Sequence, residues 1–281
     1  MKNVLSIAGS DCSGGAGIQA DLKTFSANGV FGMSVIVSVV AENTNRVISI
    51  EDVSPKMIGE QMDAVFEDIE VDAVKIGMLS TPKCMEVVVR KLEQYKPKHI
   101  VIDPVMYAKN GCPLMEESSL DTLISKVLPF AEVLTPNIPE AEKITGMKIQ
   151  SVDDMEQAAK AILTLGCKGV IIKGGHREGS ALDVLYDGEV FTHFETERIA
   201  TKHTHGTGCT FSSAIAAQLA KGRSIREATS IAKTYVITAI THGLNIGKGC
   251  GPTNHFYALY KKAGLLNHVN EIVEEIVEVA K

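Results

Sequence analysis

The chain has no tryptophan, only 5% aromatic residues, and no C-x-x-C pair among its six cysteines. Those cysteines stand far apart, at positions 12, 84, 112, 167, 209 and 250. The spacing argues against a zinc site and, in a chain of 281 residues, against a disulfide framework. Reduced thiols and a cytoplasmic location are expected instead. Long apolar runs are also missing. The opening MKNVLSIAGSDCSGG has a six-residue apolar run before Asp11, too short for a signal peptide or a membrane span. Positive charge is not in excess, with 28 Lys and Arg against 34 Asp and Glu and a net charge of −6. Neither nucleic acid nor an anionic membrane is expected as a partner. A phosphate-bearing small ligand stays open, because backbone amides and a few local cations can form its site. G-x-x-x-x-G-K-[ST] is absent, which excludes a P-loop enzyme as far as a motif can.

What is present suits one large α/β domain, 45% hydrophobic and 22% charged. VLSIAGS reads as a buried strand ending near Ala8, and Ile18 to Asn28 has helical spacing. SVIVSVVA is a β-branched strand, and Arg46 to Val53 a second, half-exposed one. Strands VDAVKIGM, HIVIDPV, AEVLTPN and GVIIKGG then alternate with helices over Thr81–Tyr95, Glu116–Leu128 and Asp153–Leu165. Such alternation predicts βαβ units around a mainly parallel sheet. DVLYDGEVFTHF has a DG turn and reads as a hairpin, before a helical block from GTGCTFSSAIAAQLAKG onward. No linker is visible. Residues 1–264 are read as one domain, and 265–281 as an appended amphipathic helix with Leu266, Val269, Val273, Ile276 and Val277 on one face.

Several segments carry chemistry. Gly206, Thr207 and Gly208 precede a run of helix formers, so the free amides and positive dipole end of that helix form an anion site. That suits phosphoryl transfer, although an ordinary glycine-led helix start reads the same way. Cys209 falls in the first turn, where a thiol's pKa is expected to drop; a small buried hydrophobe is the plainer alternative. Asp103 follows an apolar strand, at the sheet edge where ligands bind, and a carboxylate there can hold Mg²⁺ directly or through water. The loop Met106 to Pro113 reads as a flap. Asn137 and Glu140 are spaced i, i+3 at a helix start; the pair reads as a capping box, compatible with Glu140 also ordering a metal's water shell. Lys173 ends another strand ahead of two glycines and is placed to meet a nucleotide phosphate. Gly15, Gly17 and Ala20 match G-x-G-x-x-A, so an NAD-dependent oxidoreductase must be weighed. That fingerprint needs its first glycine almost directly after the strand, and several residues intervene here.

In combination and order, these segments resemble the ribokinase-like kinases. SIAGSDCSGGAGIQADLKTFSANG, KIGML, VIDPVM, LTPNIPEAE, KGGH and HGTGCTFSSAIAAQLAKG are similar to the hydroxymethylpyrimidine/phosphomethylpyrimidine kinases of thiamine biosynthesis, from about Val4 to His255. The resemblance implies a three-layer α/β/α fold with a small β lid or hairpin. It implies phosphorylation of 4-amino-5-hydroxymethyl-2-methylpyrimidine and then of its monophosphate, with ATP and Mg²⁺. Gly206, Thr207 and Gly208 would form the anion hole, with Cys209 beside the attacking hydroxyl. Asp103, Asn137 and Glu140 would manage metal and water, and Lys173 the nucleotide. Gly9, Ala16, Asp21, Met78 and Val105 would line the pyrimidine pocket. Many members carry glutamine where this chain has Glu42, and a carboxylate only accepts where an amide also donates. Relatives usually form homodimers. The nearest alternative is a pyridoxal (vitamin B6) kinase on the same scaffold; related pyridoxal kinases tend to place a cysteine where this chain has Ala108. A non-catalytic binding protein on a kinase scaffold is more remote.

Overall fold

The computed structural model describes residues 1–108, 111–175 and 181–266. Alternating apolar positions in the strands decide the architecture. In β1 (Asn3–Asp11), Leu5 and Ile7 face one layer while Val4 faces the other. In β2 (Phe31–Glu42), Met33, Val35 and Val37 join the first layer, and the two-sided alternation recurs in β4 (Ala73–Ile76), β5 (Ile100–Ile102), β6 (Val133–Leu134) and β7 (Gly169–Ile172). Strands buried on both faces need helices on both sides. One side is covered by α1 (Gly17–Ala27), α7 (Thr207–Ala220) and α8 (Ile225–Thr241), the other by α2 (Pro55–Phe66), α3 (Pro82–Tyr95), α5 (Ile138–Thr145) and α6 (Val152–Leu163). The three-layer α/β/α expectation is met.

Among the described residues the sheet has nine strands in the order β3-β2-β1-β4-β5-β6-β7-β8-β9. Neighbours from β2 to β7 are parallel. The edges are antiparallel: β3 (Val47–Asp52) on β2, and the hairpin β8 (Ala181–Tyr186) and β9 (Phe191–Thr196) on β7. The chain leaves β1 in one direction and returns to β4 on the other side, which opens a crevice at the strands' carboxyl ends. Site residues collect along that edge.

Some expectations need correction. β1 continues past Ala8 to Asp11, bonded to β2 through a register shift after Ala8. The expected helix over Glu116–Leu128 is instead a chain of short turns with α4 (Leu120–Thr122) between 3₁₀ and π segments. There Ser119 Oγ donates to the Ser80 carbonyl, and Pro129, lacking an N–H, closes the stretch. The sequence reading passed over α2, whose start is signalled by Ser54 capping the Met57 amide with Pro55 behind it. A short α9 (Tyr257–Lys262) follows α8, and the expected C-terminal helix lies outside the described residues beyond Leu266.

Candidate active site

A cleft of ≈ 610 Å³ opens along the carboxyl edge of the sheet. One end is built around the start of α7. Gly206 caps the helix with φ 76°, the left-handed region glycine favours, and a Cβ there would fall 1.8 Å from the Gly15 carbonyl oxygen. The helix's backbone ladder begins only with Thr210 N–H to the Gly206 carbonyl at 2.9 Å, so the Gly208 and Cys209 amides precede it. Thr207 N–H has a long bond of 3.3 Å to the Thr204 carbonyl. Gly206, Thr207, Gly208 and Cys209 all line the cleft.

Opposite them stand three strand ends. Asp103, 2% exposed after β5, accepts from Lys173 Nζ at 2.7 Å and from Thr135 Oγ1 at 3.2 Å. Burial works against the Lys173 charge, yet Asp103 and Glu140 hold its pKa above the ordinary value. Asn137 and Glu140 form the expected capping box of α5: Asn137 Oδ1 accepts from the Glu140 amide at 2.9 Å and Glu140 from the Asn137 amide at 2.7 Å. Burial pushes the Glu140 carboxyl up to about 7; Lys173 opposes that rise and Asp103 adds to it. Two crowded carboxyls with hard oxygen donors, beside an anion site, fit a divalent cation such as Mg²⁺.

Gly9, Ala16, Glu42, Met78 and Val105 line the same cleft. Asp21 does not. It is fully buried beneath the cleft, where it accepts from Lys75 Nζ at 2.9 Å, Ser6 Oγ at 2.5 Å and Ser213 Oγ at 2.7 Å. A carboxylate in the core needs such partners, and they draw it off the wall. Lys75 reaches the cleft in its place.

Cys209 departs from expectation as well. Burial drives its thiol up to about 11; Lys75 opposes this, while Asp21 and Asp103 add to it. Desolvation outweighs the helix start.

Asp11 and His205 are not singled out by the sequence, where a strand ending near Ala8 leaves Asp11 in a loop; in the structure β1 carries Asp11 to the cleft. Asp11 accepts from the amides of Ser13 (2.7 Å), Gly15 (2.9 Å) and Ala16 (2.7 Å) and from His205 Nε2 (2.8 Å). Burial alone would raise this carboxyl, but the His205 and Ser13 hydrogen bonds hold it at about 2. The glycine-loop amides that a dinucleotide pyrophosphate would need are therefore already taken by the chain itself. Glu42, half-buried beside this pair, is pushed up to about 7 by burial and then by the Asp11 charge.

The family model described as phosphomethylpyrimidine kinase matches residues 11–254. Over 258 residues the chain is 48% identical to the hydroxymethylpyrimidine/phosphomethylpyrimidine kinase of Bacillus subtilis, covering 91% of this chain and 95% of that protein. A crystal structure of phosphomethylpyrimidine kinase from Clostridium difficile superposes with a TM-score of 0.78 at 48% identity, covering 85% of this chain and 100% of the other. An ADP complex of Bacillus subtilis pyridoxal kinase gives 0.86 at 41% identity, with 91% and 98% covered.

Proposed function

The chain belongs to the phosphomethylpyrimidine kinase family, and on that premise we propose that it transfers a phosphoryl group from ATP to 4-amino-5-hydroxymethyl-2-methylpyrimidine and then to the resulting monophosphate, in thiamine biosynthesis. The observation that carries the reading is the convergence of the α7 amides, Cys209, Asp103, Glu140 and Lys173 in one cleft. Transfer of this kind is mostly positioning and charge stabilisation. The Gly208 and Cys209 amides receive the terminal phosphate, and Thr207 and Asn137 border the nucleotide. Lys173, held by Asp103, meets its phosphates. Asp103 and Glu140 would hold Mg²⁺, directly or through water, and the ion would neutralise phosphate charge. Gly9, Ala16, Met78 and Val105 pack the ring, and Glu42 reads its amino edge. Cys209 lies beside the hydroxyl.

Residues 1–264 act as one kinase domain, with 265–281 appended. No helix among the described residues is long and apolar enough to cross a membrane, and the chain works in the cytoplasm. It acts as a homodimer: β3 leaves Ile48 (63% exposed) and Ile50 (36%) on one face of an edge strand, which suits pairing with a second copy.

Incubation of the purified protein with Mg·ATP and the pyrimidine alcohol, with products read by mass, tests the activity. Mono- and diphosphate are expected; their absence while ATP is stable overturns the reading. A second reading, vitamin B6 kinase, draws on the likeness to pyridoxal kinase. Here Ala108 lines the cleft wall and Cys112 does not, which favours the pyrimidine. The ratio of kcat/KM for the two alcohols decides between them.

A further inference from the structure

The Lys75–Asp21 pair is fully buried, with both side chains 0% exposed. Burying a charge pair this deeply is expensive unless its geometry is well satisfied, so its position calls for a reason. Asp21 spends its oxygens on Lys75, Ser6 and Ser213. Lys75 directs two N–H bonds to Asp21, at 2.9 Å each, which leaves its third donor for the cleft it lines. Ser213 is one turn after Cys209 on α7, so the helix face that grips Asp21 is the face that carries the thiol. Gly17, at the start of α1, lines the same cleft. Cys209 thus shares the cleft wall with Gly17 and Lys75.

We propose that Lys75, anchored by Asp21, is the fixed cation that stabilises negative charge on the Cys209 sulfur and the substrate hydroxyl during transfer. The inference rests on the kinase reading of this cleft. Cys209 loses its proton to water, and the thiolate then accepts the hydroxyl proton as the oxygen bonds to phosphorus. The bond from phosphorus to the ADP oxygen breaks, and its electron pair leaves on ADP. Lys75 keeps its own proton throughout, since Asp21 holds its pKa above the ordinary value despite burial. The other charges facing the sulfur are Asp21 and Asp103, which oppose the thiolate, and Lys173, which Asp103 already engages. Lys75 works against the desolvation that keeps the resting thiol protonated.

Lys75→Met and Asp21→Asn test this role from two sides, because one removes the ammonium and the other the carboxylate that holds it charged and in place. Iodoacetamide alkylation of Cys209, followed on its own peptide by mass at about pH 9, reads the thiolate fraction. Lys75→Met is expected to slow alkylation by about tenfold, equivalent to raising the midpoint by about one pH unit, and to lower kcat at least as much with KM for ATP within about twofold. Asp21→Asn is expected to slow alkylation as well, and it keeps the test alive if Lys75→Met does not fold. Thermal melts identify the folded variants. Wild-type alkylation in either folded variant overturns the proposal. Failure of the wild-type protein to phosphorylate the pyrimidine alcohol would instead overturn the functional reading, while the alkylation ratios would still decide the charge role of Lys75.

Discussion

Glu42 shows how one side chain ties the site to pH. In the unfolded chain its carboxyl ionises near 4.5, whereas in the cleft burial and Asp11 hold it near 7. Between those values the folded chain keeps a proton that the unfolded chain has lost, so stability falls as pH rises through that window. Glu42→Gln removes the dependence. Its melting temperature should exceed the wild type's by more at pH about 8 than at pH about 5, and an equal gain at both would contradict the assignment. Catalysis follows the same titration. Protonated Glu42 both donates and accepts, as an amide does, but ionised Glu42 only accepts. KM for the aminopyrimidine should therefore climb above neutral pH in the wild type and stay level in Glu42→Gln.

In the proposed mechanism, the start of α7 is the element on which transfer depends. Gly206→Ala puts a Cβ into the Gly15 carbonyl at a left-handed φ, so the α7 loop must shift. Turnover should fall by on the order of 10²-fold, the cost of misplacing one oxyanion donor, with substrate KM changed much less. Steady-state kinetics check it. At α5, Asn137→Ala removes half of a capping box and should lower stability by about 1 kcal/mol in chemical denaturation, besides weakening nucleotide binding. The elements most visible in the sequence were those whose signals are local. The capping box at Asn137, the Gly206 cap, the DG hairpin and the βαβ alternation all stand in the structure as read. The rest depends on contacts distant in sequence. Asp11 meets His205 across 194 positions, and Asp21 meets Lys75 across 54, so neither pairing has a local pattern. The broken 117–130 stretch likewise follows from Ser119 bonding to Ser80, a tertiary contact that overrides helical periodicity.

For the whole molecule, the open question is how a mostly buried cleft is completed. β3 carries its exposed isoleucines at the sheet edge beside Glu42, so a second copy would cover that rim. Ile48→Glu should shift the protein from dimer to monomer in sedimentation velocity and raise KM for the pyrimidine; a wild-type sedimentation profile would contradict this. The most direct test of the account is a crystal structure with a non-hydrolysable ATP analogue and the pyrimidine alcohol. The terminal phosphate is predicted within hydrogen-bond distance of the Gly208 and Cys209 amides, with the substrate hydroxyl against the Cys209 sulfur. A terminal phosphate bound away from the start of α7 would contradict it.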